Sequence, residues 1–190
     1  MSNNDKMNPV ALGFLTIVEH EQYGLCGGYL VLDQAGMPLE FHCTAPIKPN
    51  RAQEILYGPT LEAFLYGQQI GQTLIGKSKI EPLLVCTDRA AALQMRKHVA
   101  LPVALVVGAD AEGAADSEPR MLRVDGAHSG AGGLATFPMG RNRLAVSKQF
   151  EEDRRLIEDR IAEVSESFDF DEPFSRIREA IAEAQNAVRQ

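Results

Sequence analysis

Apolar positions in the first 108 residues follow two periods in turn, and the points where the period changes predict a sheet carrying helices. Residues 10–20 and 24–33 are rich in β-branched and apolar side chains, with a polar Glu-His-Glu-Gln-Tyr-Gly connection between them. That pattern predicts two strands joined by a short loop. Gln34-Ala35-Gly36 supplies turn chemistry, with Gly36 free to take a positive φ, and residues 38–47 read as a third strand. The expected result is a three-stranded antiparallel meander.

The period then lengthens. Asn50 can cap a helix, with Gln53 able to reach back to it as in a capping box, and Ala52, Ile55 and Leu56 supply its expected buried face. Gly58-Pro59 breaks that helix, and Thr60 is placed to cap a second run bearing Leu61, Phe64, Leu65, Thr73, Leu74 and Ile75. Gly67 and Gly71 fall one turn apart, a spacing that permits close backbone packing. Residues 82–87 and 102–107 are short and continuously apolar, as in strands buried on both faces. Between them residues 88–99 read as a helix, with Asp88 as its N-cap and Ala92, Leu93, Met95 and Val99 on its apolar side. Strand, helix, strand at this length joins parallel neighbours.

Residues 109–146 read as a loop-rich connection, with short strands expected at 121–124 and 143–146. The Gly-rich stretch 126–133 has no Lys after it and no strand-to-helix setting, so it makes a poor phosphate cradle. Residues 147–190 read as a helical hairpin. Phe150, Ile157, Ile161 and Val164 share one face of its first helix; Pro173 enters the first turn of the second, followed by Phe174, Ile177, Ile181, Ala184 and Val188. The expected fold is thus α/β: a mixed five-stranded sheet within residues 1–108, made of the antiparallel meander plus two parallel strands, then a connection and a C-terminal helical hairpin.

Composition narrows the function classes. A chain of 190 residues, 45% hydrophobic and 24% charged, can bury a sizeable core. The net charge of -7 and pI near 5.1 give no field that would gather polyanions, so charge does not support a nucleic-acid partner. The N-terminus is polar and no run approaches the ~18 apolar residues of a membrane span, so a cytoplasmic protein is expected. Cys26, Cys43 and Cys86 form no CxxC pair, which argues against a disulfide framework. The turn positions place Cys43 opposite Cys26 or Gly27, and Cys26 opposite Val18 or Ile17. Buried thiols acting as small hydrophobes account for such a pair better than a redox or metal site.

Three acids stand out by position: Glu19 at the end of the first strand, Glu54 in the first helix and Asp88 after the fourth strand. Each has a plain structural use, in a hairpin loop, in a helical first turn and as an N-cap respectively. Together, though, the order β-β-β-α-β-α-β resembles the ribonuclease H-like superfamily. Gly24-Leu-Cys-Gly-Gly-Tyr-Leu-Val-Leu-Asp33 is similar to that family's second strand, Asn50-Arg51-Ala-Gln-Glu54 to the start of its first helix, and Cys86-Thr87-Asp88 to the end of its fourth strand. The resemblance implies a pair of Mg or Mn ions held by Glu19, Glu54 and Asp88, with a fourth ligand such as Asp153 from the C-terminal helix. Two such cations would stabilise the attacking and leaving oxygens of a phosphoryl displacement. In the family the first-strand acid is an Asp at mid-strand, whereas this chain has Thr16, Ile17 and Val18 there and Glu19 near the end.

Three functions follow as expectations. The favoured one is a non-catalytic accessory or structural subunit of this fold that meets partner proteins, or a second copy, through the C-terminal helices. The alternatives are a metal-dependent nuclease using the carboxylate cluster, and a small regulatory module of the profilin or roadblock type.

Overall fold

The computed structural model describes residues 10–108, 133–166 and 168–187. One mixed sheet holds β1 (Ala11–His20), β2 (Gly24–Asp33), β3 (Pro38–Cys43), β4 (Leu84–Thr87), β5 (Val103–Val107), β6 (Leu134–Met139) and β7 (Asn142–Ser147). Its order is β3-β2-β1-β4-β5-β7-β6. The meander β1-β2-β3 is antiparallel, and β4 and β5 are parallel to β1, as the periodicity predicts.

The sheet nevertheless has seven strands and not five. β6 and β7 form a hairpin added antiparallel to β5. β7 contains the expected residues 143–146. β6 gives no clear strand signal because Pro138 interrupts it, and a proline without an N–H is tolerated there because β6 is an edge. The expected strand at 121–124 lies outside the described residues.

Helices cover both faces. After β3 come α1 (Arg51–Tyr57) and a 3-10 turn (Gly58–Thr60), then α2 over residues 61–77, which includes a π-helical stretch at Phe64–Gln72. The 3-10 helix α3 (Ala90–Lys97) links β4 to β5. A 3-10 turn (Lys148–Phe150) leads into α4 (Glu152–Ser165), and α5 (Glu172–Ala187) ends the described chain. The pleat divides the strand residues between the layers. Leu15, Ile17, Tyr29, Val31 and Val85 pack with Leu65, Ile70, Leu74 and Met95 of α2 and α3. On the opposite face Leu12, Phe14, Leu30 and Leu84 pack with Ile157 and Ile161 of α4 and with Phe174, Ile177 and Ile181 of α5. The apolar faces of the C-terminal helices are therefore spent on the core of the same sheet.

Two adjacent glycines in β2 set how closely these layers approach. A Cβ on Gly27 would collide with Ile70 of α2, and one on Gly28 would collide with Ile177 of α5 and lie 3.0 Å from Ile181. Successive strand residues face opposite ways, so each glycine admits one helix. Gly67 and Gly71 serve the expected purpose in α2: a Cβ on Gly67 would stand 2.9 Å from the backbone of Gln94 and Met95 in α3.

Local expectations fared unevenly. The Asn50–Gln53 capping box forms in both directions, at 2.9 and 3.0 Å, and Gly36 has φ +79°. The predicted buried face of α1 does not exist, however. Ile55 is 65% exposed, Leu56 is 82% exposed and no residue of α1 is buried, because the chain breaks at Gly58 before any apolar face meets the sheet. Thr60 makes no cap; its hydroxyl donates back to the Tyr57 carbonyl at 2.7 Å. Nor is Asp88 an N-cap: the helix starts later, at Ala90, and the Arg89 N–H donates to Thr87 Oγ1 at 3.2 Å.

Two polar contacts tie distant segments together. The Glu40 carboxylate on β3 accepts the Ser78 hydroxyl at 2.5 Å and the Lys79 and Ile80 amides at 3.1 and 3.2 Å. These donors, Ser78 foremost, hold its carboxyl down at about 2 from an ordinary 4.5. Asp153, fully buried at the start of α4, accepts two hydrogen bonds from Arg96 of α3, at 2.7 and 3.0 Å. Arg96 also donates to the Val99 carbonyl at 3.0 Å and lies 4.6 Å over the Phe150 ring. Both charges have their partners, so the pair costs little while intact and much when halved.

Three outcomes test this account. Gly28→Ala should destabilise the protein by about 1–3 kcal/mol from overpacking, with part recovered by Ile177→Ala in the same chain, as read by thermal denaturation. Glu40→Gln should cost about 1–2 kcal/mol at neutral pH. Because the Glu40 carboxyl is depressed, its contribution is complete above pH 4.5 and is lost as pH falls toward 2, so the stability curves of variant and wild type should converge over that window. Asp153→Ala should cost about 3–5 kcal/mol in urea denaturation by leaving Arg96 unpaired, whereas Arg96→Met with Asp153→Leu should recover most of that loss.

Candidate functional site at the carboxyl ends of β1 and β4

Open α/β sheets bind ligands beyond the carboxyl ends of their parallel strands, at the point where connections leave in opposite directions. Here that point lies between β1, whose chain turns back to β2 on one side, and β4, which leads to β5 on the other. Leu15 and Thr87 are the last registered pair of β1 and β4. Thr16 and Asp88 follow them, on the face that α5 covers.

Thr16 is fully buried, and its hydroxyl makes no hydrogen bond within the chain. The Asp88 side chain is 16% exposed and one carboxylate oxygen is ion-paired with Arg178 of α5. Arg89 approaches the other oxygen at 3.9 Å. One residue layer further along, Gln185 of α5 donates to Cys26 Sγ at 3.2 Å, and Cys26 stands opposite Val18 on β1. Thus α5 lies over the ends of β1, β2 and β4, pressed down at Gly28 and tied at Asp88 and Cys26.

The four acids singled out by sequence occupy separate surroundings. Glu19 is exposed at the end of β1, in register with Leu25. Glu54 is exposed on α1 and paired with Arg51 at 3.0 Å. Asp88 is paired with Arg178, and Asp153 is buried against Arg96. Among the described residues no three His, Cys, Asp or Glu side chains stand together as a metal-binding group. Side chains at Glu19 and Thr16 also point to opposite faces of β1, since they are three residues apart on a pleated strand. Sequence reasoning overlooked Arg178 altogether. Its only signal was a cation on the second C-terminal helix, which gains meaning once α5 is known to cross β4.

Neither buried thiol is an activated nucleophile. Burial pushes Cys26 up despite the Gln185 hydrogen bond, and burial alone pushes the fully enclosed Cys86 up strongly. Cys43 pairs in register with Gly28, one or two residues away from the expected partners, and is exposed while Cys26 is buried. A concavity of about 520 Å³ beside α4 is lined by Glu151, Glu152, Arg154, Arg155 and Glu158. Five charged side chains do not make the mostly apolar lining of an ordinary small-molecule site. No helix among the described residues is long and apolar enough to cross a membrane.

The chain matches no protein-family model and no curated protein. Among solved structures it is similar to Endonuclease V of Ciona intestinalis, in complex with a 23mer DNA containing an inosine followed by a ribo-adenosine, with a TM-score of 0.34 and 14% identity. The match covers 52% of this chain and 45% of that one, so the chain spans less than half the length of that protein. At such a TM-score the likeness carries no weight for fold or function, and both rest on the geometry above.

Proposed function

We propose that this chain is a ribonuclease H-like-fold accessory subunit that works by binding a partner protein and performs no phosphodiester chemistry. The strand order and directions of β3-β2-β1-β4-β5 support the fold. The observation that carries the functional reading is the ion pair between Asp88 and Arg178. A carboxylate already neutralised by a guanidinium offers little to a divalent cation, and a two-metal centre needs several free carboxylates at one place. Asp153 and Glu54 are neutralised in the same way, by Arg96 and Arg51. The run of parallel strands β1-β4-β5 weighs against a profilin or roadblock module, whose sheets are mainly antiparallel.

One observation favours the nuclease reading instead. Thr16 Oγ1 and Asp88 Oδ1 are both buried at the sheet's switch point without a hydrogen bond, although Arg89 stands 3.9 Å from the second, and a cation or water could be held there. Under that reading Glu19, Glu54, Asp88 and Asp153 would bind Mg or Mn after rearrangement of α1 and α5.

Manganese separates the two. Millimolar Mn2+ should leave the wild-type calorimetric baseline flat, and neither DNA nor RNA should be cut in its presence. Saturable binding that Asp88→Asn removes, or cleavage that the same substitution abolishes, would replace the accessory reading with the enzyme.

A further inference from the structure

The expected partner surface, the apolar faces of the C-terminal helices, is buried in this chain's own core. Among the described residues the sheet ends in two edge strands, β3 and β6. β3 is one terminal strand of the sheet, and the backbone hydrogen bonds it makes run to β2. Its outer row of N–H and C=O groups is therefore available as a template.

Side chains flanking that edge are unlike those of the other edge. On the face shared with α5, Phe41 stands in register with Leu30 and is 39% exposed; Leu39, at the register shift opposite Leu32, is 37% exposed, and Met37, just before the strand, is 61% exposed. β6, at the far edge, buries Phe137 and Met139 and carries Pro138 within the strand. Natural edges are ordinarily blunted by a charge, a proline or a β-bulge along the strand. In β3 the proline and the register shift both fall at its start, opposite Leu32, leaving Phe41 to Cys43 in regular register, and its one acid, Glu40, is turned away from solvent into the hydrogen bonds of Ser78, Lys79 and Ile80.

That contact also brings charge to the edge. By accepting from Ser78 and Lys79, Glu40 fixes the end of α2 alongside β3, and the side chains of Lys77 and Lys79 there are exposed. In a chain of net charge -7, this edge thus pairs an apolar stripe on one face with two lysines on the other.

We propose that β3 accepts an extended segment of a partner protein as an eighth strand, one whose apolar residues alternate with Asp or Glu. Main-chain hydrogen bonds to β3 supply the affinity common to strand addition. Phe41 and the neighbouring Leu39 receive the apolar side chains on the α5 face, and Lys77 and Lys79 receive the carboxylates on the other. Alternation is required because neighbouring residues of the incoming strand point to opposite faces. This rests on the accessory-subunit reading and names its docking surface and the chemistry of the partner. The manganese and cleavage assays do not involve β3, so either conclusion can fail alone.

The test uses the full chain and a fluorescein-labelled octapeptide alternating valine and glutamate, with a valine–lysine octapeptide and a backbone N-methylated valine–glutamate octapeptide as controls. Fluorescence anisotropy should saturate with the first peptide at submillimolar protein and with neither control. Lys77→Glu with Lys79→Glu should weaken binding about tenfold, the loss of two exposed charge contacts, and shift preference toward the lysine peptide. Phe41→Ser should also weaken it, with circular dichroism confirming that each variant is folded. Cys43 is exposed while Cys26 and Cys86 are buried, so a nitroxide can be placed there alone. It should broaden the NMR signals of the bound peptide. Equal binding of the acidic and basic peptides, no saturation at millimolar concentration, or a dimer in sedimentation that Phe41→Ser dissolves would each overturn the proposal, the last by making a second copy the occupant.

Discussion

The close approach of two helical layers to β2 at Gly27 and Gly28 is the constraint on which most of this structure depends. Without side chains at these neighbouring positions, α2 comes down on one face through Ile70 and α5 on the other through Ile177 and Ile181. Any Cβ there would lift a helix, and the cost would spread because interiors pack at crystal-like density. With α5 held at that depth, Arg178 reaches Asp88 and Gln185 reaches Cys26. The packing of a strand thereby determines the chemistry at the end of its neighbours.

Ion pairs do different work in different parts of the molecule. Arg96 and Asp153 join the crossover helix α3 to the start of α4 through a buried pair whose mutual attraction roughly offsets its desolvation cost. Arg51–Glu54 lies on an exposed helix and contributes little. Asp88–Arg178 neutralises the carboxylate at the switch point. Glu54, Asp88 and Asp153, which the family resemblance would gather around one metal pair, thus belong to three separate ion pairs.

The apolar faces of the C-terminal helices, expected to meet a partner, lie in the chain's own core. Amphipathic helices can complete a core or present a face to a partner, and the periodicity of Phe174, Ile177 and Ile181 is the same in both cases. Burial against β1 and β2 chooses the core. Among the described residues the large apolar side chains left exposed lie at the start and middle of β3, at Leu156 of α4, and on α1, where Ile55 and Leu56 project into solvent because the Gly58 break intervenes before the chain reaches the sheet.

Local order was readable from the sequence: strands β1 to β5, the capping box at Asn50, the positive φ of Gly36 and the small-residue spacing of Gly67 and Gly71 all follow from period, turn chemistry and side-chain size. These depend on interactions within a few residues, or on burial that imprints a regular pattern. The hairpin β6–β7 was half hidden because an edge strand tolerates a proline that would bar it from the interior. Which way an amphipathic helix faces, which cation meets Asp88, and whether Glu19, Glu54 and Asp88 converge were decided only by tertiary structure. The physical reason is distance along the chain: Arg178 is 90 residues from Asp88, and Arg96 is 57 from Asp153. A pattern of residue types specifies which faces must be buried, but the pairing of charges depends on where those faces finally come to rest.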